Sequence, residues 1–463
     1  MVIHLKVDFV SYTGVFEGNG HAIKGLVMNN EDNQECNKAG LFCGLEGATF
    51  ENLVIDSSCS FTESSAGALS VSLTGSLTAI GVTNKADVSG SNGVGSFVGR
   101  IEGLNQTNEV IFEDCVNDGN VTGKSYIGGF VRMASNNKNL SMTLSDCINN
   151  ANITGQFRNV GGFVGNTVGN TNMKKTISES ANNGLITGSS DVGGFTGGLK
   201  HNRGIEVNIS MCVNNGFITG SFSLGGMTGT ASLNIGMVMT LSNCTNIREI
   251  NGNDYAGGFV GQIELHTDSE SILFVIINSA NKGSVSAGNG QACGMFCVDP
   301  YATDNLNTTV LNSINKGSVK ATKSAYGITN IITKVRNVVS MGEVNASSDS
   351  FTFWNASTDV DLFFGLGGKC VNCPDDTTLF VHNTNTGFYG VVGSGVHVHN
   401  PLNAEVEKQN YGMFWTKELE LVEAPDCPSP SQSGGLSDGS KHGVSLFWIG
   451  VVVALAAHVA MAQ

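Results

Sequence analysis

A chain of 463 residues with six prolines is not collagen-like, and 40% hydrophobic residues are enough to bury a core, which excludes wholesale disorder. The formal net charge is −15, only 14% of residues are charged, and no lysine- or arginine-rich patch offers phosphates a counterion surface, so nucleic acid is excluded as a partner. Twelve cysteines, an even number, fit an oxidising compartment.

In chain order, the opening "MVIHLKVDFVSYTG" lacks the apolar run and small-residue cleavage site of a signal peptide. Residues 1–66 are expected to form an opening segment and the first coils, ahead of a repeat array over 67–346. The array is written in an Asn-x-Gly-x-[Val/Ile] element whose Asn falls at Asn84, Asn117, Asn149, Asn182, Asn214, Asn246, Asn281 and Asn315, at intervals of 32 to 35 residues. An aliphatic follows four residues later each time, from Val88 and Val121 to Val285 and Val319, and Ser340 with Val344 marks a degenerate further copy. A second element, G-G-F-V-G or a variant, recurs at 95–99, 128–132, 161–165, 193–197, 225–229, 257–261 and 293–297. Such a fixed period is the mark of a solenoid.

Repeats of this length also suit helical arrays, but a mid-helix Gly costs about 1 kcal/mol relative to Ala. The apolar positions alternate instead: in "VNISMCV", Val207 and Ile209 face one way, Asn208 and Ser210 the other. The prediction is an all-β fold, a parallel β-helix of about nine to ten coils, with roughly three short strands per repeat and coils about 4.8 Å apart. Asn at the same turn of every coil is expected to adopt the left-handed conformation and to hydrogen-bond the Asn above it. The Gly two residues on is expected to supply a positive φ.

Cys115, Cys147, Cys212 and Cys244 share one column of the repeat, with Ser180 between the pairs. They are either a buried file of thiols or two staples, Cys115–Cys147 and Cys212–Cys244. Asp114, Asp146 and Glu179 form a column beside them, which reads as a solvated face rather than the opposed carboxylates of a glycosidase. No catalytic motif is present, so no catalytic, cofactor or metal residue is assigned. Nine N-x-[Ser/Thr] sequons, at Asn105, Asn120, Asn139, Asn152, Asn208, Asn243, Asn307, Asn345 and Asn355, are candidate glycan acceptors on a secretory route.

Residues 347–426 carry Trp354 and Trp415 but no repeat, and are expected to cap the array, whose open edge would otherwise invite association. There Cys370 and Cys373, a C-x-x-C, with His397 and His399 are read as a disulfide in a loop-rich cap in preference to four zinc ligands. Residues 427–443 read as a stalk and 444–463 as an apolar tail long enough to span a bilayer. Small residues, a polar spacer and that tail match a GPI-attachment signal, with Ser433 and Gly434, or Ser437 and Asp438, at the attachment point; a single-span anchor is the alternative. A GPI signal requires a leader, so either a segment precedes Met1 or the chain is tail-anchored, and the first is expected.

The start, "YTGVFEGNGHAIKGLVMNNEDNQECNKAGLFCGLEGATFENLVI", resembles the opening of proteins that carry GLUG repeats, and the "GGFVG" elements resemble the GLUG motif itself. Glu17 stands where these proteins usually have Asp, and Cys43 where Gly is common. The resemblance spans roughly residues 12–346 and implies a secreted or surface-attached, adhesin-like protein without transferring any active-site residue. On these grounds the chain is expected to be a non-enzymatic, GPI-anchored glycoprotein of the cell surface with adhesion, coat or antigen roles. It would meet the membrane through its tail and a host or extracellular glycan or protein through its coils. A carbohydrate-active β-helix enzyme and a tail-anchored intracellular protein are the alternatives.

Overall fold

The computed structural model describes residues 11–29, 39–265, 271–299 and 305–347 as continuous segments, with short strand pieces beyond them up to residue 423. Chain contacts group Met1–Glu423 as one compact unit and Ala424–Gln463 as a second, and the latter lies outside the described residues. Among the described residues every regular element is a strand, and no helix is long and apolar enough to cross a membrane.

The strands build a parallel β-helix of about nine turns. One coil runs through Val131–Ser135, Leu140–Ser145, Ile148–Asn149, Ile153–Gly155 and Arg158–Gly161, five strands where three were expected. The difference lies at two bends. The G-G-F-V-G element is not one strand: Gly162 and Phe163 turn the chain between Arg158–Gly161 and Val164–Val168. A second bend at Asp146 and Cys147 splits Leu140–Ser145 from Ile148–Asn149. Every strand pairs in parallel with its equivalent one coil on, as in Val131↔Val164, Leu144↔Ile177, Asn149↔Asn182, Ile153↔Ile186 and Val160↔Val192.

This pairing runs unbroken from Val15↔Thr49 to Ser340, with no structural break near residue 66. Ser340 stands opposite Asn315 and Val344 opposite Val319. Beyond them the pattern changes: Phe363–Gly365 pairs in parallel with the last coil, then takes Phe380–Asn383 and Phe388–Gly390 as antiparallel strands.

The bore is filled by the residues of the two repeated elements. Phe97, Phe130, Phe163 and Phe195 stack face to face at 4.9, 4.8 and 4.7 Å between ring centroids, one ring per coil. Met227, Phe259 and Met295 continue the file, all fully buried. Inward Val121, Ile153, Ile186, Ile218, Ile250 and Val285 form a second file.

Two assigned roles move. The asparagines of the ladder are not in the left-handed conformation. That conformation belongs three residues upstream, at Asn52, Gly81, Asp114, Asp146, Glu179, Met211, Asn243, Asn278 and Asn312, with φ between 42° and 62°. The Gly two residues after the ladder Asn has no positive φ either. It is small because the coils touch there: a Cβ on Gly119 would overlap the carbonyl oxygen of Ala86, and one on Gly216 that of Gly184. Close approach of backbones, not backbone handedness, selects this glycine.

Candidate functional site

The inner surface of the coil is committed to structure. Asn117, Asn149, Asn182, Asn214, Asn246, Asn281 and Asn315 are fully buried, and the side-chain amide of each of the first six donates to the Oδ1 of the next at 2.7 or 2.8 Å. The second amide hydrogen of Asn149 and its successors goes to the carbonyl two residues on, such as Asn214 to Gly216 at 2.9 Å. At the start of the file, Asn84 reaches Asn117 through the Ser96 hydroxyl. A second buried file, Asn137, Asn170, Asn202 and Asn234, was not foreseen although it keeps the same period. Each of the first three donates to the next Oδ1 at 2.9 to 3.0 Å, and each of the four to a carbonyl of the coil before.

Of the two arrangements open for Cys115, Cys147, Cys212 and Cys244, the structure holds them as buried thiols, not as staples. The Cys115 thiol lies 3.3 Å from the carbonyls of Ala79 and Glu113, and the Cys147 thiol 3.1 Å from that of Ser145. Burial pushes Cys147 and Cys212 well above the usual thiol range and Cys244 up to about 12, which keeps them from reacting as thiolates. A disulfide between Cys293 and Cys297 was not foreseen; it replaces the first and last glycines of the G-G-F-V-G element, and its Cα atoms stand 5.5 Å apart.

Asp114, Asp146 and Glu179 are exposed at the left-handed bend, one per coil. An open groove of about 540 Å³ is lined by Asp146 and Glu179 with Ser180, Ala181, Met211, Val213 and Asn243. Its two carboxylates, Asp146 and Glu179, belong to one column of adjacent coils. Among the sequons, Asn105, Asn120, Asn139, Asn152, Asn243 and Asn345 are exposed, while Asn208 and Asn307 are half-buried. Asn355, Cys370, Cys373, His397, His399, Ser433, Gly434, Ser437 and Asp438 lie outside the described residues.

What remains uncommitted is outward. Beside each inward aliphatic stands an outward polar residue in register: Thr122, Thr154, Thr187, Thr219, Asn251 and Ser286. On the same face, two positions earlier, come Asn152, Leu185 and Phe217, the last two 40% and 47% exposed. At the next bend Phe157 is 56% and Phe222 47% exposed, so four large apolar side chains face solvent within three consecutive coils. The backbone under them is fixed by side chains: Asn152 N donates to Asn120 Oδ1 and Leu185 N to Asn152 Oδ1, at 3.2 and 3.1 Å. Arg248 lies 5.4 Å from the centre of the Phe217 ring. Between Asn152 and Phe222 the outward positions of this face carry Arg158, and the next coil sets Arg248, Glu249 and Asp254 beside Phe217 and Phe222. No alternating pattern marks these residues, because they sit in the variable positions of the repeat.

The fold and this face define a class, the parallel β-solenoid with a partly aromatic outer strip. The chain matches no family model, no curated protein and no solved structure.

Proposed function

We propose that the protein is a non-enzymatic solenoid scaffold of the cell surface that contacts a ligand, a glycan or a protein, through its threonine and aromatic face. The observation that carries this reading is the set Phe157, Leu185, Phe217 and Phe222, exposed over three adjacent coils. Isolated exposed apolar residues need no explanation, whereas a contiguous patch rimmed by polar groups marks a contact surface. Rings beside rows of hydroxyls suit an uncharged partner, since stacking and hydrogen bonding replace charge pairing. The GLUG-like motifs support a surface-attached, adhesin-like role. The apolar tail and the small residues at Ser433–Gly434 and Ser437–Asp438 support anchoring through GPI, and the exposed sequons support glycosylation.

The test is adherence of the purified protein to cells and to immobilised glycans, with Phe157→Ser, Phe217→Ser and Phe222→Ser combined. These side chains are exposed, so the triple variant should keep its melting temperature while losing at least tenfold in binding. Unchanged adherence would remove the face from the reading. Release from the cell surface by a phosphatidylinositol-specific phospholipase C would establish the anchor, and cytosolic exposure without release would overturn it.

A further inference from the structure

The strand that carries the outer threonines repeats one tripeptide whose first place varies. In four consecutive coils it reads Asn120-Val121-Thr122, Asn152-Ile153-Thr154, Leu185-Ile186-Thr187 and Phe217-Ile218-Thr219. The middle residues pair in parallel register. Val121 N donates to Asn152 O, Ile153 N to Leu185 O and Ile186 N to Phe217 O, which holds the first places in one column. Two N-x-Thr sequons are thus followed, in the place of their asparagine, by Leu185 and Phe217, 40% and 47% exposed. With parallel strands about 4.8 Å apart, these side chains start about 5 and 10 Å along the axis from Asn152.

The Asn152 side chain is held in one orientation. Its Oδ1 accepts from Leu185 N at 3.1 Å, which leans the carboxamide towards the apolar coil. Its Nδ2, the atom that N-glycosylation modifies, is on an exposed residue and has no hydrogen-bond partner among the described residues. Asn120 is built alike, with Oδ1 accepting from Asn152 N at 3.2 Å, but the coil beyond it brings Asn152 in place of an apolar side chain. Two other sequon amides are already engaged: Asn208 Nδ2 donates to Glu206 at 2.7 Å and Asn345 Nδ2 to Glu343 at 2.6 Å. Asn139 and Asn243 sit at left-handed bends, both with φ 54°, away from the threonine strand. Beyond the apolar pair, Arg248 lies 5.4 Å from the centre of the Phe217 ring and bounds the column.

An N-linked glycan is bulky and hydrated at its hydroxyls, but the faces of its sugar rings are C–H surfaces that pack on apolar and aromatic side chains. We propose that Asn152 carries an N-linked glycan whose first sugars lie over Leu185 and Phe217, so that occupancy of Asn152 sets access to the apolar part of the outer face. The bond that forms joins Nδ2 to the anomeric carbon of the first sugar. A lipid-linked oligosaccharide diphosphate is the donor; its carbon–oxygen bond to phosphate breaks, and the diphosphate and one Nδ2 proton are released. This cover rests on the reading of a surface glycoprotein, and it supplies the apolar patch with an occupant from the chain itself.

The test expresses the full chain behind an added leader in a eukaryotic secretory cell and maps its glycopeptides by mass spectrometry. Hydroxyl-radical labelling of the folded protein is then compared before and after a peptide N-glycosidase removes the glycans. Leu185 and Phe217 should gain at least twofold in labelling on removal. Met211, 41% exposed at the left-handed bend of the Phe217 coil, should not change. Thr154→Val removes only the Asn152 sequon, keeps a β-branched residue at an exposed strand position, and should label Phe217 as strongly as the deglycosylated wild type. If that variant does not fold, the glycosidase comparison decides alone, because it acts on folded wild-type protein. Glycans at other sequons with Asn152 bare, or a glycan on Asn152 whose removal leaves Phe217 labelling unchanged, overturn the cover and leave the surface reading standing. A secreted chain with no glycan at any sequon overturns the cover and the glycoprotein reading together.

Discussion

Lys175 is the sharpest point at which the stack departs from its own rules. It is fully buried in the bore, with Met142 below and Val207 above it in register. Its Nζ reaches only two hydroxyls, Thr167 Oγ1 at 3.3 Å and Thr196 Oγ1 at 3.1 Å, and no carboxylate. Burial drives the ammonium from the usual 10.5 of a lysine down to about 7. Above about pH 7 the folded chain holds Lys175 neutral, while the unfolded chain keeps it charged up to about 10.5.

The unfolded state therefore binds more protons, and stability rises with pH across this window by about 1.4 kcal/mol per unit. Below about pH 7 both states are protonated and the full penalty is present; 10.5 − 7 is 3.5 units, or about 5 kcal/mol. Lys175→Met, which copies the residue one coil below, removes that penalty. Against it stands the loss of the two hydroxyl contacts, about 1 kcal/mol each. The net expectation is a gain of about 3 kcal/mol at pH 6 to 7 that falls as pH rises, crosses zero near about pH 9 and turns into a loss of about 1 kcal/mol by pH 10. Denaturant unfolding followed by circular dichroism over this range measures both curves. Wild-type and variant curves that run parallel in pH would refute the reasoning, since they would mean that Lys175 is solvated or paired in the folded chain.

Two further outcomes follow from the files of polar side chains. Asn182→Ala removes an acceptor for Asn149, a donor to Asn214 and a donor to Gly184, all buried, and should cost about 3 kcal/mol in denaturant unfolding. Cys212→Ser should change stability by no more than about 1 kcal/mol, because Ser180, Ser279 and Ser313 already fill this column and donate to the carbonyl two residues back. In the same experiment Cys115, Cys147, Cys212 and Cys244 should stay unlabelled by a thiol reagent until the coil unfolds.

The period of Asn and aliphatic residues made the coil legible, because a contact repeated in every turn demands the same residue in every turn. Ladder asparagines such as Asn182 and inward aliphatics such as Ile186 are of this kind. Positions that need only a backbone conformation were not legible. The left-handed bend accepts Asp114, Glu179, Met211 and Asn243 alike, since its side chains face solvent, so no composition marks it. Asn137, Asn170, Asn202 and Asn234 keep the period, but their neighbours vary and no fixed phrase surrounds them. The outer face was illegible for the opposite reason: Phe157 and Phe217 occupy positions the stack leaves free, and only the folded coil shows that they gather on one side.

Coils that are nearly alike carry a hazard of their own, because a slip by one whole repeat preserves every inward and outward position. The regular columns do nothing to oppose it: Asn149 would meet Asn214 as readily as Asn182. Opposition comes from the residues that occur once. Lys175 has its hydroxyl partners only where Thr167 and Thr196 stand, one in its own coil and one in the next, and a slip would place its ammonium against Val164 or Leu199. Arg132 needs Gly93 beneath it, and the equivalent residues in later coils are Tyr126, Asn159 and Asp191 or their neighbours, which carry side chains. Cys293 and Cys297 close one bend covalently where the six preceding G-G-F-V-G elements have glycine at the first place and glycine or Arg132 at the second. Lys175 and Arg132 each raise the free energy of the slipped stack by leaving a buried charge without its partner, whereas the disulfide constrains only its own bend. The repeated residues make the solenoid stable, and the exceptions make one register of it lower than the rest.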